Sequence, residues 1–527
     1  MNKTLAIIKR TLSLLLVISM IFGIATSFTA CGGKNNNNNN NNNNSNPNDN
    51  CSKGDHVDEN DDGSCDDCNE SVLVLIDFYA VNDLHGKFCD TEGQPGVDEF
   101  GTYMENRRKQ DDHLVLLSSG DMWQGSAESN LTRGTLITEW MNALGFVSMT
   151  LGNHEFDWGQ TAIKNNLEVA EFPFLAINIY DNKTGERVDY CTPSIMIERG
   201  GVQIGIIGAI GDCYTSISKD KVEGVHFKTG SELAALVRAE AESLRAKGAD
   251  LVVFSLHDGY DENVTGEKVI SNSNLQKYYT PSLSNGVIDL VFEGHSHRNY
   301  TVIDSYGVYH VQGGGENGGI SHVEVAVNSA NGNNHVTASE YVRTSLYSSL
   351  VDHEPTEEIE DKYSDIIDSA YSPLGYVDRY YDDSDIEAIV AELYLEAGLE
   401  RWDDEYDIVF GGGFIRTRAP YNLYSGDVAY ADVLSLLPFD NEIVLCTISG
   451  KDLMRRFINN SSSDYYYHLS EYGEDNIYDI SNNETYYVVV DTYTAFYNSN
   501  GLTIVEYYDY STYARDLVAD AIKRGDI

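Results

Sequence analysis

Six short apolar runs, rich in β-branched residues, constrain this chain more than any other feature. They are Val72–Tyr79, His113–Ser118, Val147–Leu151, Val202–Ala209, Leu251–Leu256 and Val287–Phe292. Leu251-Val252-Val253-Phe254 is apolar at every position, the pattern of a strand covered on both faces. Between the runs, Glu232–Lys247 has helical spacing, with Gly248 as its stop. The alternation predicts α/β architecture up to about residue 342. A charged stretch, His353–Asp368, suits a linker helix, and a second α/β unit is expected from about Ser372 to Ile527.

Five of these runs end in chemically similar residues. The first leads into Asn82-Asp83-Leu84-His85-Gly86, and the second into Gly120-Asp121-Met122-Trp123. The third ends in Gly152-Asn153-His154-Glu155-Phe156-Asp157. His257-Asp258-Gly259 and Glu293-Gly294-His295-Ser296-His297 come after the remaining two. Ligands of open α/β sheets bind at the carboxyl ends of the strands. Glycines there let the backbone turn sharply and approach an ion. One Asp-x-His on a loop is ordinarily a turn or a cap. Five such clusters, all at strand ends, point to metal. Carboxylate, amide and imidazole donors without thiolates favour divalent Zn, Mn, Fe, Co or Ni over calcium.

The N-terminus reads as a leader. Lys3, Lys9 and Arg10 precede the apolar Leu14–Ile24, and Thr29-Ala30-Cys31 resembles a bacterial lipobox, although Phe28 stands where a Leu is usual. Cleavage would leave Cys31 lipidated and the protein held extracytoplasmically on a membrane. The asparagine run Asn35–Asn44 reads as a solvated tether. Cys51, His56, Cys65 and Cys68 then interleave with Asp58, Asn60, Asp62 and Gly63. Three readings stay open for residues 51–68: a small zinc site, a calcium loop, or a disulfide-tied knot. The remaining cysteines, Cys213 among them, read as buried or incidental. The formal charge of −48 argues against a polymeric nucleic-acid partner. A small phosphorylated substrate is compatible with it, because cations bound at the site supply the local positive charge.

The five motifs resemble those of the calcineurin-like metallophosphoesterases, in particular the bacterial 5′-nucleotidase and UDP-sugar hydrolase family. The resemblance runs from about Val72 to the end of the chain. It implies an N-terminal four-layer αββα sandwich, a linker helix and a C-terminal α/β substrate-binding domain. The expected layout is a signal peptide at 1–30, the lipidated cysteine, tether and Cys/His motif at 31–70, the phosphoesterase domain at 71–342, the linker at 343–371 and the C-terminal domain at 372–527. By the same resemblance, Asp83, His85 and His297 hold one metal, Asn153, His257 and His295 the other, and Asp121 bridges both. Two cations roughly 3.5–4 Å apart lower the pKa of a water between them and set it in line with phosphorus. His154 is expected to handle a proton or stabilise phosphate, with Asp157 orienting its ring.

In the C-terminal half, Phe410-Gly411-Gly412-Gly413-Phe414-Ile415-Arg416 resembles the family's glycine-rich turn and phosphate-contacting arginine. Gly411 and Phe414 depart from that pattern, while Gly412, Gly413 and Arg416 keep it. Leu437-Pro438-Phe439 matches the segment whose phenylalanine stacks on the nucleobase, and Tyr493 is expected opposite it. The Gly-Gly-Asp-Gly run that the family carries after the second aromatic is absent. The expected activity is hydrolysis of nucleotide phosphate esters. The alternatives on the same scaffold are cyclic-nucleotide or 3′-nucleotide hydrolysis and cleavage of UDP-sugars or other pyrophosphates. A surface binding module with an inactive site is the alternative of a different class.

Overall fold

The computed structural model of the chain describes residues 56–89, 96–260, 267–269, 287–304, 306–315, 319–418, 422–460, 465–470, 480–496, 501–509 and 511–527. The leader, Cys31, the asparagine run and Cys51 lie outside these. No helix among the described residues is long and apolar enough to cross a membrane.

Two sheets face one another in the N-terminal half. The first has six strands, in the order Asn334–Tyr341, Gly319–Asn328, Leu73–Asn82, Val115–Ser118, Ser148–Thr150, Phe174–Leu175. The last four of these run parallel, and the Gly319–Asn328 strand returns antiparallel beside Leu73–Asn82. The second sheet has seven strands and centres on Val202–Ile210, Leu251–His257 and Leu290–Glu293, all parallel.

Period-two alternation builds the layers. Ile76, Phe78 and Ala80 pack with Val115 and Leu117 against Ile204, Ile206, Val253 and Phe292 of the facing sheet. Their neighbours Tyr79, Val81, Leu114 and Leu116 point the other way, into a core shared with the helices Asp98–Gln110, Thr135–Leu144 and Gly159–Val169. Likewise Val252, Phe254 and Leu256 pack under the helix Gly230–Ala246. Helix, sheet, sheet, helix is the four-layer arrangement expected, and it explains why Leu251-Val252-Val253-Phe254 is apolar at every position.

The stretch read as a linker is an 18-residue helix, Glu354–Tyr371. Its Ile359 and Ile367 join the core of the first helical layer, so it is anchored along its length. Beyond it lies a five-stranded sheet in the order Tyr465–Leu469, Ile408–Phe414, Thr485–Asp491, Ile443–Ser449, Thr503–Tyr507. The helices Asp383–Trp402 and Ala514–Arg524 cover one face. Asp382 caps the first by accepting the N–H of Asp385 at 2.9 Å. At the junction of the halves, Ala127, Ala370, Ala431 and Leu434 make a small shared core. The Asn130 side chain donates to the carbonyl of Pro438 at 3.0 Å, and the Tyr371 hydroxyl to Glu128 at 2.8 Å. These bonds set the Leu437-Pro438-Phe439 segment beside the strand ends of the first sheet.

Candidate metal centre

All seven residues expected to bind metal lie at the carboxyl ends of strands, and both sheets contribute. Asp83, His85, Asp121 and Asn153 follow strands of the first sheet, whereas His257, His295 and His297 end or follow strands of the second. Backbone hydrogen bonds tie the loops together. The N–H of Asp83 donates to the carbonyl of Gly120, and that of His85 to the carbonyl of Asp121, each at 3.0 Å. The N–H of His295 reaches both carboxylate oxygens of Asp83 at 3.0 Å, joining one sheet to the other. Asp83, His85, Asp121, His295 and His297 all have positive φ, between 52° and 67°. Left-handed backbone costs a non-glycine residue about 1–2 kcal/mol, and strain of this kind concentrates at functional sites.

The side chains converge as ligands would. Nε2 of His85 lies 3.0 Å from Nε2 of His297, which is 3.6 Å from Oδ1 of Asp83. Two nitrogens each about 2.1 Å from a shared ion stand roughly 3.0–3.4 Å apart. Asp83, Asp121 and His257 also bring one donor atom apiece within 4.8 Å of one another. Nε2 of His257 is 3.0 Å from Oδ2 of Asp121 and 3.2 Å from Oδ1 of Asn153. The outer nitrogens are already engaged. Nδ1 of His85 donates to the carbonyl of Gln124 at 2.9 Å, and Nδ1 of His257 to that of Ser119 at 2.7 Å. A carbonyl only accepts, so these bonds fix the tautomer and leave each Nε2 for the centre.

Oδ2 of Asp121 is buried 3.0 Å from Nε2 of His257, where a proton on that nitrogen or a bound cation would satisfy it. Burial alone would push the His257 pKa down, but the Asp121 carboxylate overrides it and raises it to about 10. A proton and a divalent cation therefore compete for one lone pair. The donor set fits two divalent ions of the borderline class.

Around the ligands sits a group of buried supports. Glu155 accepts the N–H groups of Asp121 at 3.0 Å, Met122 at 2.8 Å and Gly152 at 2.6 Å, so one carboxylate fastens two strand ends. Burial raises its pKa to about 7. Nδ1 of His154 meets Oδ2 of Asp157 at 2.7 Å, and the backbone N–H of His154 donates to Oδ1 of Asp121 at 2.8 Å. Burial opposes charge on His154, but Asp157 and Asp121 outweigh it and raise its pKa. The C-terminal half reaches this point as well. The ring of Phe439 stacks on His154 with centroids 5.9 Å apart, and the Arg418 guanidinium lies 5.0 Å over the same phenylalanine.

Residues 76–299 match the calcineurin-like phosphoesterase family, and residues 372–472 match the 5′-nucleotidase C-terminal domain. The chain carries a metallophosphoesterase domain and a 5′-nucleotidase C-terminal domain. It is 30% identical over 223 residues to a 5′-nucleotidase of Vibrio cholerae, a match covering 41% of this chain and 39% of that relative. It is 25% identical over 430 residues to Protein UshA of Escherichia coli, covering 72% of this chain and 75% of the relative. Its fold resembles the 5′-nucleotidase precursor of Thermus thermophilus, with a TM-score of 0.61 at 17% identity over 86% of this chain and 96% of that one.

Within the 5′-nucleotidase C-terminal domain, the sequence predicts a glycine-rich turn that the structure does not form. Gly411, Gly412 and Gly413 continue the strand Ile408–Phe414 and pair with His468, Tyr467 and Tyr466. Packing accounts for the glycines. A Cβ on Gly413 would stand 2.5 Å from the Thr494 hydroxyl, and one on Gly411 would run into the backbone of Leu395. Arg416 is exposed just past the strand. The Tyr493 ring packs against Phe414, with centroids 5.7 Å apart, while Phe439 has His154 and Arg418 as neighbours.

Two residues escaped the sequence reasoning. Arg418 is two positions beyond Arg416, and the repeated Arg-x-Arg of an extended segment was the signal for it. Cys213 is buried as expected, yet its thiol donates to the carbonyl of His257 at 2.9 Å and sits within 4.8 Å of ring nitrogens of His257 and His295.

Proposed function

We propose that this metallophosphoesterase hydrolyses phosphate esters of nucleotides, with the phosphate between the strand-end ligands and Phe439. The observation that carries the proposal is the stack of Phe439, from the C-terminal domain, on His154 of the Gly-Asn-His motif. It sets an aromatic surface beside the phosphoesterase centre, where a nucleoside attached to the reacting phosphate would lie.

Asp83, His85 and His297 would hold one divalent cation, Asn153, His257 and His295 the other, and Asp121 both. Such a pair supplies an acidified water and neutralises phosphoryl charge in the transition state. The protein does the rest. Glu155 holds the Asp121 and Gly152 strand ends in register, and the carbonyls of Gln124 and Ser119 aim the imidazoles. Asp157 engages Nδ1 of His154, which leaves Nε2 to handle the leaving-group proton or to stabilise phosphate. Arg416 and Arg418 supply cationic groups from the C-terminal domain. Tyr493 would close on the base from the Phe414 side, where Gly412 and Gly413 let the strand pack tightly. With Cys31 acylated, the enzyme would work extracytoplasmically at a membrane.

A substrate panel with added Mn, Co or Zn tests this. It comprises 5′- and 3′-nucleotides, a cyclic nucleotide, a UDP-sugar and an aryl phosphate. Metal-dependent turnover is expected to be highest on 5′-nucleotides. Turnover confined to the aryl phosphate would remove the nucleotide assignment, and no turnover with any metal would favour an inactive binding module.

A further inference from the structure

A second cluster of ligand-type side chains lies before the phosphoesterase domain, outside the matched residues 76–299 and 372–472. His56, Cys65 and Cys68 each bring one donor atom within 4.8 Å of the others. Cys65 is 1% exposed. Sγ of Cys68 lies 3.5 Å from Nδ1 of His56. A tetrahedral zinc bound at about 2.3 Å to sulfur and about 2.0–2.1 Å to nitrogen puts two such ligand atoms about 3.5–3.6 Å apart. The observed separation is the edge of that tetrahedron.

We propose that His56, Cys65 and Cys68 bind a zinc ion, with water in the fourth tetrahedral position, distinct from the phosphoesterase centre and fastening the N-terminal segment to the end of the first sheet. The local backbone wraps the sulfur: the N–H groups of Val57, Cys68 and Asp67 hydrogen-bond Sγ of Cys65. The N–H of Cys65 itself donates to the carbonyl of Glu70 at 2.8 Å, and that of Asn69 to the carbonyl of Cys65 at 2.7 Å, closing a tight knuckle around Cys65-Asp66-Asp67-Cys68.

The acidic residues interleaved with these ligands have a different task. The buried Asp58 carboxylate accepts the N–H of Gly63 at 2.9 Å and the Asn328 amide at 2.8 Å. Asp61 accepts from the side chains of Asn331 at 3.0 Å and Asn333 at 3.1 Å. Asn328 to Asn334 is the turn joining the strands Gly319–Asn328 and Asn334–Tyr341. The carboxylates are thus engaged with amides of the sheet, and among the described residues no three of them gather around one point. This favours zinc on the thiolates over calcium in the loop. A segment this short has no core of its own, and a metal is the usual substitute.

The test uses the full chain, loaded with zinc or with cobalt as a spectroscopic probe. Wild-type protein is expected to carry one zinc per chain beyond those of the phosphoesterase centre. Its cobalt form is expected to show a thiolate-to-metal charge-transfer band. Cys65→Ser and Cys68→Ser should each lose that ion and that band, while aryl phosphatase turnover stays within about twofold. Hydrogen exchange at residues 56–72 should rise on removal of the ion from wild type, a readout that needs no variant to fold. An unchanged zinc count and a retained band in the serine variants would overturn the proposal. So would a Cys65–Cys68 disulfide, found by mass spectrometry of the unreduced protein.

Discussion

Gly152→Ala puts one methyl group between the two strand ends on which the metal centre depends. The added Cβ would stand 2.7 Å from the backbone N of Asp121, and closer still to its Oδ1. Carbon settles against such an atom at about 3.5 Å, so the two strand ends must part by roughly 0.8 Å. Rotating the carboxylate cannot relieve this, because the backbone nitrogen is hit as well. Glu155 resists the movement, accepting the N–H groups of both residues at 2.6 Å and 3.0 Å. Overpacking of this kind costs about 1–3 kcal/mol of stability. A catalytic group displaced by about 1 Å loses on the order of 10² in rate, equivalent to about 2.7 kcal/mol of barrier. The expected outcome is a folded protein with turnover down roughly 50- to 100-fold and weakened metal binding. The assay pairs steady-state aryl phosphate kinetics across a metal titration with thermal unfolding. Wild-type turnover and metal affinity in Gly152→Ala would refute the claim that the Asp121 position limits the chemistry.

Three further outcomes are expected. Asp121→Ala should lose at least one metal ion and nearly all turnover, since its Oδ2 is the buried oxygen that a bound cation would satisfy; two ions per chain by elemental analysis, with activity kept, would reassign the bridge. His154→Ala should keep both ions while turnover falls roughly 10²-fold or more, so metal loss on that change would make it a support of Asp121 instead. Phe439→Ala should raise KM for nucleotides more than for an aryl phosphate, because only the nucleotide gains a stacking surface worth about 1–3 kcal/mol, whereas Arg416→Ala should weaken both substrates; equal losses in the Phe439 variant would assign the ring to holding His154.

The candidate metal centre was legible because its grammar is local. Apolar runs announce strands, and Asp, Asn and His beside glycine mark their ends, so Asp83, Asp121, Asn153, His257 and His295 could be picked out before any contact was known. The layers were legible for the same reason, since Phe78 and Tyr79 must face opposite ways in a strand. The unreadable parts depend on partners distant in sequence. The glycines at 411–413 look like a turn until Leu395, Tyr466 and Thr494 are seen crowding them. Phe439 meets His154 where Asn130 and the small core of Ala127, Ala370, Ala431 and Leu434 join the halves. The proposed preference for zinc over calcium at residues 56–68 turns on Asn328, Asn331 and Asn333, which lie more than 250 residues away from it in the chain.

The left-handed backbones at Asp83, His85, Asp121, His295 and His297 set what mutation can do here over many generations. At each, glycine is the residue the backbone prefers and alanine is a poor substitute, the reverse of the rule in helices. A chain that drifts from ligand to glycine at any of them sheds strain while it loses the chemistry. Selection for folding alone would therefore erode this centre rather than preserve it. Non-glycine residues at all five positions are what a requirement on their side chains would leave.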